Sequence, residues 1–208
     1  MILLANPNSN ADTTRAMCDL LAPVLPGLQG WTAPGGPSVI QTPDQLDAAA
    51  RRVAALDPPP GCQGVVVAAF GDPGARDLAA RLSVPVVGIG ASAALEAGAG
   101  NRIFAVVTTT PALEARVGVL MRAAGGGPYL GCFLTTGGLQ DLLADPPALD
   151  AALLAAIARA AQAGAQAVII GGGPLAEAAH RLAPLSPVPL IQPLQAAARL
   201  LQQRLRPA

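Results

Sequence analysis

The sequence predicts an α/β fold with mainly parallel strands. Short apolar runs such as Val65-Val66-Val67 alternate with alanine-rich amphipathic segments along the 208 residues, and alternating strands and helices build parallel sheets with right-handed crossovers. Apolar residues make up 52% of the chain and charged residues only 12%, against about 25% charged in an average domain. The third observation is that the pattern occurs twice along the chain.

Seven apolar runs that end in small or turn residues are predicted strands: 2–5, 64–69, 84–89, 103–108, 129–134, 167–171 and 188–192. The amphipathic segments between them are predicted helices: 9–22, 43–56, 74–82, 111–124, 146–163, 174–182 and 194–204. The first run has no positively charged residue before it and ends at Asn6-Pro7. We therefore interpret it as a buried strand rather than a signal peptide.

The two halves of the chain match in order and spacing. Val168-Ile169-Ile170 follows Val65-Val66-Val67 at an offset of 103 residues, and Val188-Pro189 follows Val84-Pro85 at an offset of 104. Matching registers in the same order indicate an internal duplication. We expect two pseudo-symmetric α/β subdomains with a ligand cleft between them. The first would comprise residues 1–98 with the C-terminal helix 194–208, and the second residues 99–193.

Composition excludes several kinds of chemistry. The chain has no lysine, which excludes Schiff-base chemistry and a lysine-bearing phosphate loop, and its one histidine, His180, excludes sites with two histidine ligands. Thirteen basic residues balance thirteen acidic ones and aromatic residues are 2%, so we expect no nucleic-acid partner. No acidic cluster suggests a metal, and no apolar run reaches the roughly 18 residues of a membrane span.

Cysteine usage and glycine spacing narrow the expectations further. Three scattered cysteines provide no disulfide framework, and we expect a cytoplasmic protein. The segment 88–93 resembles the dinucleotide pattern G-x-G-x-x-A, but the strand that follows ends in Thr108-Thr109-Thr110 rather than in an acidic residue. We therefore expect no cofactor.

Four predicted strands are followed by a polar or small residue and then proline: Asn6-Pro7, Asp72-Pro73, Thr110-Pro111 and Gly173-Pro174. Such pairs are typical of helix N-termini, and ligands of open α/β sheets bind at this edge. Free N–H groups there could hold a small carboxylate without lysine. The alternative is ordinary helix capping, and Asp72 in particular is either a helix cap or a general base.

Several motifs resemble one enzyme superfamily. They are Asn6-Pro7-Asn8-Ser9, the turn Phe70-Gly71-Asp72-Pro73-Gly74, the strand 85–89, the strand end Val107-Thr108-Thr109 and the final strand 188–191. Together they resemble the aspartate/glutamate/hydantoin racemase superfamily, most closely its hydantoin racemase branch. The resemblance implies two pseudo-symmetric α/β halves, cofactor-independent chemistry and a homo-oligomer.

The same resemblance implies two catalytic cysteines, which act as acid and base on opposite faces of the substrate carbon. The first stands immediately before the Phe-Gly-Asp-Pro-Gly turn, and this position is Ala69 here. The second follows the glycine after the sixth predicted strand, and this position is Gly172. Neither residue transfers a proton, so the two-thiol mechanism cannot operate. Proton transfer would then fall to Asp72, to a water molecule or to a group that the sequence does not identify.

Three functions remain open. The first is an isomerase- or lyase-type enzyme that acts at a carbon next to a carboxylate or carbonyl by different chemistry. The second is a binding or regulatory protein that keeps the pocket without catalysis. The third is an active racemase in which Ala69 replaces a natural cysteine or the alignment near Gly172 is shifted. The expected ligand is a small carboxylate or a hydantoin-like molecule, with these contacts: Asn6, Asn8, Ala69, Phe70, Gly71, Thr109, Thr110, Gly172 and Gly173.

Overall fold

The computed structural model describes residues 1–172 and 175–206. The strands are β1 (Ile2–Asn6), β2 (Leu28–Thr32), β3 (Gly64–Val67), β4 (Val86–Gly88), β5 (Phe104–Thr108), β6 (Tyr129–Leu134), β7 (Ala167–Ile170) and β8 (Leu190–Ile191). The α-helices are α1 (Ala11–Leu21), α2 (Pro43–Ala54), α3 (Ala75–Arg81), α4 (Ile89–Ala97), α5 (Glu114–Ala124), α6 (Leu139–Ala144), α7 (Pro146–Gln162), α8 (Ala176–Leu182) and α9 (Pro193–Leu205).

These strands form two four-stranded sheets. The first has the order β2-β1-β3-β4 and the second the order β6-β5-β7-β8, and every strand pair in both sheets is parallel. The predicted α/β class with parallel sheet is therefore confirmed. All seven predicted strands and all seven predicted helices have counterparts, with bounds that differ by a few residues.

The chain divides into two compact units. Unit 1 comprises Met1–Ser92 together with the segment that begins at Leu194, and unit 2 comprises Ala93–Pro193. The division after Ser92 lies six residues before the boundary expected from the sequence. Helix α4 spans it, since this helix runs from Ile89 to Ala97.

In unit 1, valine-rich strands pack against amphipathic helices. Val65 and Val67 of β3 share a cluster of buried side chains with Val53 of α2 and Leu78 of α3. Helix α2 begins with a capping box. The Thr42 hydroxyl accepts the Gln45 backbone N–H, and the Gln45 side-chain oxygen accepts the Thr42 backbone N–H. The α2 backbone is thereby held where its apolar face covers the sheet.

In unit 2, α7 covers the sheet with a stripe of residues at helical spacing. Its buried positions are Leu149, Leu153, Ala156, Ile157 and Ala160. They pack against alternate residues of β5 and β7, which point to the same face because side chains alternate along a strand. The strand ends at which ligands of α/β sheets bind are thus attached to a packed core in each unit.

Three elements were not predicted. Strand β2 lies at an edge of its sheet, and its central residues Gln29 and Gly30 are exposed, so it lacks the apolar run of a buried strand. Helix α6 spans only six residues, Leu139–Ala144. Helix α4 begins at Ile89, directly after β4 and without a loop, so the predicted strand 84–89 is shorter than expected. None of the helices in the described ranges combines the length and the apolar character needed to cross a membrane.

Candidate functional site

A buried amide network stands at the carboxyl end of β1. Asn6 Oδ1 accepts hydrogen bonds from Asn8 N at 3.1 Å and Asn8 Nδ2 at 2.8 Å, and Asn6 Nδ2 donates to Thr14 Oγ1 at 2.9 Å and to the Asn10 carbonyl at 3.2 Å. An asparagine amide offers two donor hydrogens and an oxygen with two lone pairs. All the hydrogen-bonding capacity of Asn6 is therefore used inside unit 1.

Asn8 is held by this network and holds a second loop in turn. Its Oδ1 accepts the Ile40 backbone N–H at 3.0 Å, and Ser9 Oγ donates to the Gly36 carbonyl at 2.8 Å. One amide hydrogen of Asn8 bonds Asn6 Oδ1, and among the described residues the other has no acceptor. Of the two predicted contact residues, Asn6 acts as a positioning residue and Asn8 has the remaining donor.

The turn after β3 contains the residues that carry the most specific motif. Ala69 and Phe70 are buried, at 5% and 9% exposure. The Ala69 carbonyl accepts the Asp72 N–H at 3.0 Å, which closes the turn. Gly71 has φ +111° and Asp72 has φ +49°, and residues with a Cβ rarely adopt either value. Glycine adopts such a conformation without strain because it has no Cβ, which explains glycine at position 71.

The Asp72 carboxylate bridges two strand ends of unit 1. Its Oδ1 accepts the Gly90 N–H at 2.7 Å and its Oδ2 accepts the Ala91 N–H at 2.6 Å. These N–H groups belong to the first turn of α4, so the acid caps that helix. A Cβ at Gly88 would lie 2.1 Å from Asp72 Cγ. The glycine at the end of β4 therefore leaves the space that the carboxylate fills.

The environment of Asp72 changes its acidity. Burial raises the pKa of Asp72 from 3.8 to about 7, while the hydrogen bonds from Ala91 and Gly90 lower it by a smaller amount. A carboxyl group with a pKa near neutrality exchanges protons readily at neutral pH. The prediction that Asp72 caps the helix after Pro73 is wrong: the N-cap of α3 is Gly74, and Asp72 instead accepts first-turn N–H groups of α4.

In unit 2, threonines follow β5. Thr108 Oγ1 bonds the Gly171 carbonyl at 2.9 Å and the Thr110 hydroxyl at 3.0 Å. Thr108 and Thr109 are buried. The hydroxyl of Thr108 thus joins the ends of β5 and β7, where Thr109, Thr110 and Gly172 were predicted to contact ligand.

Gly172 has a backbone that resists a side chain. Its φ is +148°, and an added Cβ would lie 3.2 Å from Leu175 Cδ1. A cysteine at this position would therefore be strained in the present backbone conformation. The predicted contact at Gly173, and the pair Gly173-Pro174, lie outside the described residues.

The expectation that a proline marks each helix N-terminus is wrong for two of the described pairs. Helix α1 is capped by Asn10, whose side chain accepts the Thr13 N–H, three residues beyond Pro7. Helix α3 is capped by Gly74 without a side-chain hydrogen bond. Thr110-Pro111 does begin a helix, the 3-10 turn Pro111–Leu113, and α5 follows it directly at Glu114.

The three cysteines lie where the sequence places them and apart from the strand-end turns. Cys18 is in α1, Cys62 precedes β3 and Cys132 is in β6, and all are free. Burial raises the pKa of Cys18 and of Cys132, so these two thiols are less readily ionised than an ordinary cysteine. The single histidine, His180, is exposed on α8.

A surface cavity of about 420 Å³ lies in unit 2 beside α5 and β6. Its lining includes Glu114, Arg122, Tyr129 and Cys132, with Tyr129 Oη 3.0 Å from Cys132 Sγ. Burial is the first of several effects that raise the pKa of Tyr129. None of the predicted contact residues lines this cavity, and the described residues contain no group of three potential metal ligands.

Two polar atoms were not singled out from the sequence. Thr135 Oγ1, just after β6, and Gln192 Oε1, just after β8, are buried without a hydrogen-bond partner. Both residues follow the outer strands of the second sheet at its carboxyl edge. The signal in the sequence was a polar residue directly after an apolar run, as at Thr108-Thr109-Thr110. Gln192 is also followed by Pro193, the first residue of α9, which is the pattern of the four pairs singled out above, whereas no proline follows Thr135.

Comparison with known proteins identifies the family. The family model described as Asp/Glu/Hydantoin racemase matches residues 2–201. The hydantoin racemase of Paenarthrobacter aurescens is 27% identical over 211 residues, which cover 96% of this chain and 88% of that protein. Among solved structures, the allantoin racemase from Pseudomonas fluorescens has a TM-score of 0.83 at 24% identity, covering 97% of this chain and 89% of that one.

A decarboxylase shares the fold. Unliganded arylmalonate decarboxylase has a TM-score of 0.60 at 17% identity, covering 100% of this chain and 93% of that one. The fold therefore supports both racemase and decarboxylase relatives. Since the family model covers nearly the whole sequence, this chain belongs to the Asp/Glu/hydantoin racemase family.

Proposed function

We propose that this protein binds a small carboxylate or cyclic amide and acts as an isomerase- or lyase-type enzyme at the carbon next to a carbonyl, without the two-cysteine mechanism. The curated relative is a hydantoin racemase and structural neighbours include an allantoin racemase and a decarboxylase. We also propose that the protein works in the cytoplasm, because three free cysteines fit a reducing compartment. A homo-oligomer is proposed on the family resemblance alone.

The observation that carries the proposal is the chemistry of residues 69, 72 and 172. Ala69 has only a methyl group and Gly172 has no side chain, whereas Asp72 stands three residues after Ala69 with a pKa raised to about 7. Each carboxylate oxygen has two lone pairs. The helix N–H groups use one on each oxygen, so the carboxylate can still accept a substrate proton.

The proposed step is proton abstraction. The C–H bond next to the carbonyl breaks, its proton passes to the Asp72 carboxylate, and the electron pair moves onto the carbonyl oxygen to form an enolate. The Asn8 amide, in the same unit as Asp72, is the proposed hydrogen-bond donor to the ligand. Return of a proton to the same carbon regenerates the carbonyl and completes an exchange reaction.

One observation favours a second function, a catalytically silent binding protein. Both oxygens of Asp72 already accept backbone N–H groups, at 2.7 and 2.6 Å. A group so engaged is suited to hold the turn and α4 together. In this alternative, the strand-end loops bind the same ligands and Asp72 has only a positioning role.

The experiment that separates the two is solvent deuterium exchange. The purified protein is incubated in deuterium oxide with aspartate, a 5-substituted hydantoin or an arylmalonate, and the α-carbon is followed by proton NMR. Enzyme function predicts exchange or decarboxylation that is lost in Asp72→Asn but kept in Asp77→Asn, an exposed acid in the first turn of α3. Inertness against the panel, with micromolar binding of the same compounds, would support the binding protein instead.

Restoring the thiols tests the assignment of their positions. Racemase activity that appears only in the double variant Ala69→Cys/Gly172→Cys would support both positions and the loss of an ancestral mechanism. Because Gly172 has φ +148°, folding of the variant is checked by circular dichroism before activity is judged. A folded double variant without activity would contradict this placement of the two groups.

A further inference from the structure

Unmet hydrogen-bonding groups concentrate at one edge of unit 2. In the described ranges, buried side-chain nitrogen or oxygen atoms without a partner occur at Arg52, Thr135 and Gln192. The last two follow β6 and β8, at the same edge as the Thr108–Thr110 and Gly171–Gly172 segments. A buried polar group without a partner costs about 1–3 kcal/mol, so native proteins rarely retain one that has no use.

Gln192 lies beside the end of β7. Strands β7 and β8 pair with Ile169 opposite Ile191, so the next pair is Ile170 and Gln192. Both strands end at this level, β7 at Ile170 and β8 at Ile191, and Gly172 follows β7 by two residues. Gln192 is therefore at the same carboxyl edge of the sheet as the predicted second thiol position, on the neighbouring strand.

The corresponding place in unit 1 shows how such a group is normally satisfied. There, Val67 of β3 pairs with Gly88 of β4, and the Asp72 carboxylate fills the space beside Gly88. In unit 2, the larger Gln192 stands after β8 in the position of that glycine, and its Oε1 has no protein donor. The two edges are built alike, but only the second keeps an acceptor without a partner.

We propose that Gln192 Oε1 accepts a hydrogen bond from a ring N–H of a cyclic amide ligand, and that Gln192 is the residue that selects cyclic amides over open-chain carboxylates. The inference rests on the proposed function, since it names the substrate class of that site. A carbonyl acceptor satisfies an N–H donor, which a hydantoin ring carries next to its carbonyl groups, whereas it repels a carboxylate oxygen. Discrimination of this kind is strong because a mismatched ligand leaves the acceptor unpaired.

The test compares Gln192→Met with Gln140→Met, a control at an exposed residue of α6. Calorimetry measures binding of 5-methylhydantoin, its N1-methyl and N3-methyl derivatives, and succinate. We expect Gln192→Met to weaken 5-methylhydantoin binding about 10- to 100-fold and to leave succinate unchanged. One of the two N-methyl derivatives should bind the wild type about as weakly as 5-methylhydantoin binds Gln192→Met. The substitution should not weaken the binding of that derivative further.

Stability provides an independent readout. Removing an unpaired buried acceptor should raise the urea midpoint of Gln192→Met, whereas removing an acceptor that bonds a protein group or a fixed water should lower it. A lower midpoint together with unchanged hydantoin affinity would overturn the proposal while leaving the proposed function intact. Failure of the wild type to bind any compound of the panel would instead overturn both.

Discussion

Asp72→Asn changes a single atom of the buried carboxyl group and tests how the protein holds it. In the wild type, burial raises the pKa of Asp72 from 3.8 to about 7. The folded state therefore binds a proton more tightly than the unfolded chain does. Stability from this group is fully present below pH 3.8 and is lost as the pH rises through about 7.

The magnitude follows from the size of the shift. A rise of about three pKa units corresponds to about 4 kcal/mol of unfolding free energy, of which about 2.5 kcal/mol is lost between pH 5 and pH 8. Asparagine cannot titrate, and its amide nitrogen leaves one of the Gly90 and Ala91 N–H groups without an acceptor, at a cost of about 1–3 kcal/mol. The variant should be less stable than the wild type at pH 5, and this difference should close or reverse by pH 8.

The assay is urea denaturation followed by tryptophan fluorescence. Trp31 is the only tryptophan in the chain and lies in β2 of unit 1, the unit that contains Asp72. Its emission therefore reports the unit that the substitution affects. Asp77→Asn, at an exposed position of α3, is the matched control and should keep the wild-type dependence on pH.

A specific result would refute the reasoning. If the unfolding free energy of the wild type stays constant or rises between pH 5 and pH 8, the carboxylate is ionised throughout this range. The two N–H bonds would then outweigh burial, and Asp72 would have an ordinary acidity. That outcome would also remove the main support for Asp72 as a proton-transfer group.

Three further substitutions have expected effects on stability, measured as unfolding free energies in urea. Gly88→Ala should cost about 1–3 kcal/mol, because its Cβ would lie 2.1 Å from Asp72 Cγ. Asn6→Ala should cost about 3–5 kcal/mol, because it leaves the backbone and side-chain donors of Asn8 buried without an acceptor. Gly172→Ala should cost about 1–3 kcal/mol, because φ is +148° at this residue.

Each of the three has a result that would contradict it. Gly88→Ala should regain stability when combined with Asp72→Ala, and a clash elsewhere would leave the double variant unstable. A loss below about 1 kcal/mol in Asn6→Ala would mean that water replaces the amide. Gly131→Ala is compared with Gly172→Ala, because Gly131 has φ +145° but nothing near its Cβ position, so its loss reports backbone strain alone. If neither variant loses stability, the strain argument is refuted.

The sequence predicted the fold well where burial determines the residue type. Strands such as Gly64–Val67 and Phe104–Thr108 are buried at every position, so they read as continuous apolar runs. Strand Leu28–Thr32 escaped prediction because an edge strand needs no such run. Helix Ile89–Ala97 escaped because its first turn carries a glycine and its N-terminal cap comes from Asp72, eighteen residues earlier in the chain.

The candidate site was less predictable, because hydrogen bonds decide it and their partners are distant in sequence. The Asn6 side chain has all its hydrogen bonds satisfied by Thr14, Asn10 and Asn8. No rule of local residue spacing predicts such a network. The motif around Asp72 was recognised as specific, but its α4 partners were not. Whether Ala69 and Gly172 stand at former thiol positions remains a prediction.

Helix α9 gives the order of synthesis an effect on folding. This helix contributes Leu201, which packs against Gly64, and Arg204, which donates to the Val86 carbonyl at 3.1 Å. Unit 1 is therefore built from two segments that lie on either side of unit 2 in the sequence, whereas Ala93–Pro193 is one continuous segment. During translation, all residues of unit 2 are synthesised before α9 is. Until then, β3 and β4 of unit 1 lack their contacts with Leu201 and Arg204.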